Sequence, residues 1–531
     1  MKIRQGLLAA LAATVVAGCG GGDINLGVST VDNSVDNSTT SIPDNSNNPC
    51  ASYTPAGATT ARRGNFDGRN CTYNSAFVSA TNPLTVSLTI PFISGVHIFQ
   101  GSLFVGTNVS SGAAPAGGTG PTLTIEAGNR LAFLNAADYL LINRGSQLLA
   151  NGSPTAPIIL TGFTDAVTGT AGPEDVSLWG GLVINGNGIT NNCSDAERAA
   201  NQCHVVSEGQ PSNYGGNNNA DNSGVLRYLI VKHAGFEVAP DDELNGITFN
   251  AVGSGTVVEN VQVYSSFDDG MEFFGGAVNV SNAVLTYVRD DSLDFSDGYV
   301  GTIANALVIH SSRDGNRCIE LDNIGAARSD LGQAFNLPPV TVATVRNMTC
   351  IVSNRDAGTH GNSEGVIVRQ GGRLLLQDSL IYSGYASNRL ANGPSNQCFR
   401  FQSTTGLVDA QAGLSRMNNT IVACESPVPG TFANADTFLV WVQGANPSPA
   451  GANYSFNTGN VVITDAANAS VRLLTAGTFF TAPTLADAAG LAITPTPATR
   501  LIGAVRSTDD WTAPWAYGLR AGNRGQPLWF E

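Results

Sequence analysis

From Asn245 onward the chain repeats a short phrase in which apolar and polar positions alternate. Gly246-Ile247-Thr248-Phe249 is followed by Gly270-Met271-Glu272-Phe273, Ser292-Leu293-Asp294-Phe295 and Cys318-Ile319-Glu320-Leu321. Alternation with a period of two marks a short strand with one buried face. A second phrase interleaves with the first. Val258-Glu259-Asn260-Val261-Gln262-Val263 is echoed by Val280-Ser281-Asn282-Ala283-Val284-Leu285 and Ile303-Ala304-Asn305-Ala306-Leu307-Val308, with later copies beginning at Val345, Leu376 and Met417. The phrase puts Asn260, Asn282, Asn305, Asn347, Asp378, Asn419 and Asn460 in equivalent positions. Short strands recurring every 22 to 26 residues, without helical periodicity, describe the coils of an all-β, right-handed parallel β-helix. Stacked coils bring equivalent residues to about 4.8 Å, the spacing of neighbouring strands. An asparagine column at a bend is therefore predicted to form a hydrogen-bonded ladder. Longer gaps, such as Asn305 to Asn347, are read as loops inserted at corners.

Weaker copies, including Leu123-Thr124-Ile125, Leu131-Ala132-Phe133, Leu140-Leu141-Ile142 and Ile158-Ile159-Leu160, extend the pattern toward the N-terminus. The solenoid is assigned to residues 96–482. An open coil end exposes a sheet edge, so caps are expected over 50–95 and 483–531. In the second cap, Trp511, Trp515, Tyr517, Trp529 and Phe530 would shield the apolar end. A core that grows in one dimension also explains how so long a chain avoids splitting into domains. Several segments resemble a family of bacterial right-handed parallel β-helix lipoproteins of the pectate-lyase-like β-helix superfamily. They are Glu243-Leu244-Asn245-Gly246, Asp268-Asp269-Gly270-Met271-Glu272-Phe273, Asp290-Asp291-Ser292-Leu293-Asp294 and Trp179-Gly180-Gly181-Leu182, with the end segment around Trp511 and Trp529. The resemblance implies the fold and a lipid anchor, and leaves activity open.

The N-terminus reads as a signal peptide over 1–18. Lys2 and Arg4 precede an apolar run, Leu7 to Val16, that is too short to span a bilayer. Val16-Ala17-Gly18-Cys19 resembles a lipobox, which makes Cys19 the lipidated (palmitate-bearing) first residue of the mature chain. Gly20 follows it where an Asp would favour inner-membrane retention, so an outer-membrane or cell-surface address is expected. Residues 19–49 form the anchor and a Gly-, Asn-, Ser- and Asp-rich tether, which cannot bury enough apolar surface to order itself.

Removing Lys2 and Arg4 takes the formal net charge from -15 to -17. Such a surface repels phosphate backbones, so nucleic acid is not an expected partner. Setting Cys19 aside, eight of the nine cysteines remain for disulfides in an oxidising compartment. Sequence does not fix their connectivity; pairing of neighbours gives the candidates Cys50 with Cys71, Cys193 with Cys203, Cys318 with Cys350 and Cys398 with Cys424.

Candidate chemistry concentrates in the acidic phrases. If the coils stack, Thr248, Glu272, Asp294 and Glu320 form one outward column, with Asp268, Asp269, Asp290 and Asp291 at the preceding corner and Asp297, Asp314 and Asp322 nearby. Carboxylates at strand spacing repel unless neutralised. Calcium, which takes six to eight oxygen ligands, is the candidate cofactor for Asp268, Asp269, Glu272, Asp290, Asp291, Asp294 and Glu320. The alternative is an arginine network drawn from Arg289, Arg313 and Arg317.

Paired acids on a β-helix also suit a polysaccharide lyase or glycoside hydrolase. The Gly-His-Gly and Arg-Ile-Lys motifs of polygalacturonases are absent, and His360 has no counterpart there. Arg369, Arg373 and Arg400 are the candidate lyase bases. His233 and His310 read as satisfied surface histidines about three coils apart. The leading expectation is a non-catalytic, membrane-anchored protein. Its β-helical face would bind an extracellular polysaccharide or an outer-membrane protein, assisted by calcium. A carbohydrate-active enzyme using the same face is the rival, and a purely structural or adhesive protein the third reading. Exposed aromatics along the outward sheet would favour sugar binding.

Overall fold

A computed structural model describes residues 47–240, 242–325, 328, 332–353, 358–361, 363–383, 397–424, 432, 434–463, 473–475, 477–486, 492–493 and 501–531. The signal peptide, Cys19 and most of the tether lie outside the described residues. The first repeated phrase forms a nine-stranded sheet in which every pairing is parallel. Its strands are β1 (Leu103–Val105), β2 (Tyr139–Ile142), β3 (Gly181–Asn185), β4 (Ile247–Asn250), β5 (Met271–Phe274), β6 (Leu293–Ser296), β7 (Arg317–Leu321), β8 (Glu364–Val368) and β9 (Gln397–Phe401). Facing it is a longer, mainly parallel sheet that holds the second phrase, for example Val257–Ser266, Asn279–Thr286, Thr302–Ile309 and Val342–Ile351. The chain is thus a parallel β-helix, as the period-two phrases predict.

The second phrase bends where the sequence places its column. Asn260, Asn282, Asn305, Asn347, Asp378 and Asn419 all have left-handed backbones, with φ between 48° and 58°. Asn and Asp reach this region more readily than other side-chain-bearing residues. Asn282 Nδ2 donates to Asn260 Oδ1 at 3.0 Å, Asn305 Nδ2 to Asn282 Oδ1 at 2.9 Å, and Asn419 Nδ2 to Asp378 Oδ1 at 3.2 Å. The ladder breaks at Asn347, whose amide donates to Leu501 O. Asn460 does not belong to the column. Pairing of Ile421 with Val461 and of Asn418 with Thr458 sets Gly459, with φ 69°, opposite Asn419. Glycine takes the left-handed bend without penalty, and Asn460 instead accepts from Thr420 N at 2.9 Å.

Inside the coil, inward residues stack with the same register. Phe249, Phe273 and Phe295 follow each other with ring centroids 5.0 Å apart. Toward the N-terminus Tyr73, Phe99, Phe133 and Trp179 continue as a stack of rings. Residues 71–73 already pair in parallel with 97–99, so the expected N-terminal cap joins the sheet it covers. Disulfides link Cys50 to Cys71, Cys193 to Cys203 and Cys318 to Cys350, and Cys398 is disulfide-bonded too. The side chain of Cys424 lies outside the described residues.

The C-terminal segment departs from expectation. Phe438, Trp441 and Tyr454 join the core with Phe399 and Phe401 of the last nine-stranded-sheet coil. Residues 501–531 run back along the outside of the long sheet. Gly503 N bonds Asp378 O, Gln262 and Tyr517 exchange two 2.8 Å bonds, and Trp515 meets Tyr228 edge to face. The physical reason is that the sheet beyond the bend is apolar on both sides. Ile230, Tyr264, Val284, Leu307, Ile351, Leu380 and Ile421 face outward and are buried beneath the tail. Within it, Trp511, Tyr517, Trp529 and Phe530 are only partly buried.

The bend column yields a graded test. Asn282→Ala removes two ladder bonds and forces alanine into a left-handed backbone, at about 1–2 kcal/mol for the backbone and roughly 1 kcal/mol per bond. Asn282→Gly loses the bonds alone. Urea unfolding should rank wild type above Gly and Gly above Ala; equal stability of the two variants would contradict the strained-bend account.

Candidate metal centre

Strand register assembles the acidic site. Thr248 pairs with Glu272, Glu272 with Asp294 and Asp294 with Glu320, one outward column across β4 to β7. Three residues earlier the chain turns the corner. There the backbone N–H of Asp269 donates to Asn245 Oδ1 and that of Asp291 to Asp269 Oδ1, both at 3.0 Å. The same corner carries Arg317 on β7, paired in register with Glu364 on β8. The two columns meet in overlapping groups whose ligand atoms all lie within 4.8 Å of one another. They are Asp268, Asp290 and His360; Asp269, Asp290 and Asp291; Asp269, Glu272 and Asp294; and Asp291, Asp294 and Glu320. All seven metal candidates read from the sequence are thereby brought together.

Their charges are compensated unevenly. At the β7–β9 end arginines are interleaved with the acids. Arg317 contacts Glu320, lies 3.3 Å from Asp291 Oδ2 and 3.7 Å from Glu364. Arg369 contacts Glu320 and holds Asp322 at 2.9 Å, while Arg400 holds Glu364 at 2.9 Å. At the β4–β6 end no lysine or arginine contacts Asp268, Asp269 or Glu272 among the described residues. Burial, reinforced by the neighbouring carboxylates, pushes those three carboxyl groups well above the ordinary range. Asp294 is pushed up by burial and by Asp291, but Arg369 and Arg317 hold it to about 7.

Glu208 comes from the insertion between β3 and the long sheet. Burial raises its carboxyl to about 8, and Glu243, Asp294 and Asp242 add to the rise. No repeat marks that insertion, so sequence periodicity could not point to Glu208. Glu364 was equally hidden, because the long insertion before β8 interrupts the phrase.

Three carboxylate oxygens, Oδ1 of Asp290, Asp291 and Asp294, are buried without a hydrogen-bond partner. A buried carboxylate oxygen left unpaired is costly. Calcium binds oxygens at about 2.3–2.6 Å, so ligands on opposite sides of one ion stand up to about 5 Å apart. The 4.8 Å groups fit that span, and their donors are hard oxygens.

Calcium and arginine, weighed as alternatives in the sequence, thus fit different ends of one cluster. Of the proposed arginines only Arg317 sits in it. Arg289 lies 3.7 Å from Asp314 and Arg313 is exposed. Asp322 joins the cluster through Arg369, whereas Asp297 pairs with Arg328. The suggested lyase bases are all engaged with carboxylates, Arg373 with Asp409 at 2.7 Å. His233 and His310 are buried, not on the surface. The His310 ring lies against Ser363 Oγ at 3.3 Å and Cys318 Sγ at 3.6 Å, while its carbonyl accepts from Trp529 Nε1 at 2.8 Å; His233 is held by Asp175 O. Among the described residues Phe92, far from the acidic strands in sequence, is the exposed aromatic; no aromatic row lines the outward sheets.

A family model for a pectate-lyase-like β-helix domain matches residues 115–420, more than half of the chain. No curated protein and no solved structure matches the chain.

The uneven compensation makes Arg317 the cation with most to lose. Arg317→Met should destabilise the fold by about 3–5 kcal/mol, the cost of leaving buried charges unpaired. Arg313→Ala, at an exposed position, should stay within about 0.5 kcal/mol of wild type. Denaturant melts giving both variants the same stability would mean that Arg317 does not neutralise its neighbours.

Proposed function

The chain belongs to the pectate-lyase-like β-helix family, and from that premise we propose that it is a non-catalytic binding protein, lipid-anchored through Cys19 to the outer membrane. Its carboxylate cluster takes calcium at the β4–β6 end and presents the ion to an extracellular polymer or a partner membrane protein. One observation carries the reading: Asp291 is 4% exposed, yet its Oδ1 has no partner beside Asp269, Asp290, Asp294 and Glu320. A divalent cation supplies the missing partner and relieves the mutual repulsion of Asp269, Glu272 and Asp294. It also leaves coordination positions for acidic groups of a ligand, since calcium accepts more oxygens than one such group provides.

In metal-stripped protein, calcium should raise the melting temperature and chelator should reverse the rise. At a hundredfold excess over Kd the stabilisation is about 2.7 kcal/mol. Asp291→Asn combined with Asp294→Asn should abolish the response. Melting indifferent to calcium and chelator would sink the calcium reading.

The anchor has its own test. Metabolic labelling with a fatty acid should mark the wild-type protein, and Cys19→Ser should lose the label and leave the membrane fraction. An unlabelled wild type would remove the lipid anchor.

A further inference from the structure

The carboxylate cluster does not end in carboxylates. At its outer corner His360 Nδ1 lies 3.2 Å from Asp290 Oδ2, and Asp268 completes the group within 4.8 Å. His360 is held at its ring and at its backbone. Phe267 meets its ring edge to face at 5.0 Å, and Asn316 Nδ2 donates to the His360 carbonyl at 3.0 Å. His360 Nε2 and Asp290 Oδ1 are both buried without a hydrogen-bond partner, and Asp291, whose Oδ1 is also unpaired, stands in the adjoining group.

Calcium selects oxygen donors, whereas imidazole nitrogen with carboxylates suits zinc, manganese or cobalt. For an ion with ligands at about 2.1 Å, adjacent donors stand about 3.0–3.4 Å apart. The Asp290–His360 separation falls in that range. A simple ion pair would also bring the two side chains together, but would leave the free oxygens of Asp290 and Asp291 unexplained.

We propose that Asp268, Asp290 and His360 bind a divalent transition-metal ion, with Asp290 bridging it to the oxygen-only site of Asp269 and Asp291. The inference rests on the cluster being a cation site, but assigns a second ion, of different class, to a ligand set that shares only Asp290 with the oxygen-only site. Asp290 is suited to the bridge because Oδ2 faces His360 while Oδ1 is unpaired.

The test uses the untagged full chain, stripped of metal, with Co2+ as an optical probe and Zn2+ as competitor. Wild type should develop saturable visible d–d absorption that Zn2+ removes. His360→Gln should weaken Co2+ binding by at least about tenfold, the low end of what losing even a supporting group costs, and leave the calcium effect on melting intact. Asp268→Asn should weaken Co2+ in the same way, which covers the case in which His360→Gln does not fold. No saturable Co2+ spectrum, or one unchanged in both variants, overturns the proposal. A Co2+ site dependent on His360 without any calcium response would support it while removing the calcium reading.

Discussion

Stacking at a fixed strand spacing governs this molecule. Every coil places its residues about 4.8 Å from their equivalents above and below, so whatever one coil carries, its neighbours are made to share. For apolar rings this is favourable, and Phe249, Phe273 and Phe295 stack without adjustment. For amides it is favourable as well, since one side chain both donates and accepts, and Asn260, Asn282 and Asn305 link into a chain. For carboxylates the same register is a cost. Two unit charges at about 5 Å repel by roughly 0.8 kcal/mol in water and by several times that in a less polar setting.

The acidic strands answer that cost in two ways within one sheet. Where the corner position changes from Asp to Arg, at Arg317, the repulsion becomes attraction and the acids are held as ion pairs. Around Asp269 and Glu272 burial continues, but among the described residues no lysine or arginine contacts them. A protein whose stability is a small difference between large terms gains little by retaining such a site for structure alone. The proposed cation would account both for these carboxylates and for the unpaired oxygens of Asp290, Asp291 and Asp294 beside them. The disulfide between Cys318 and Cys350 ties the strand that begins at Arg317 across the core to the long sheet. The boundary between the two regimes therefore sits on a covalently braced coil.

Much of this was legible in the chain. The period-two phrases specify the coil, because a one-residue slip would turn each apolar face outward. The same phrases align Thr248, Glu272, Asp294 and Glu320, and the register keeps that alignment without a shift. Asn460 shows the limit of such counting. A glycine one residue earlier can take the left-handed bend, and the column follows the backbone, not the residue type.

What the sequence alone determined was what depends on repetition along the chain: the parallel β-helix, the bend column as far as Asn419 and the acidic column. What only the tertiary structure decided was everything brought in from outside the repeat. Glu208 and His360 reach the cluster on insertions, Arg369 enters it from the turn after β8, and residues 501–531 lie along the coil side. The reading of one buried face per strand did not anticipate that runs such as Ala306-Leu307-Val308-Ile309 are buried on both sides, nor which segment covers the second. Periodicity encodes contacts between equivalent positions, which recur at a fixed separation. A contact made once, between segments far apart in the chain, leaves no period to read, and folding alone brings its partners together.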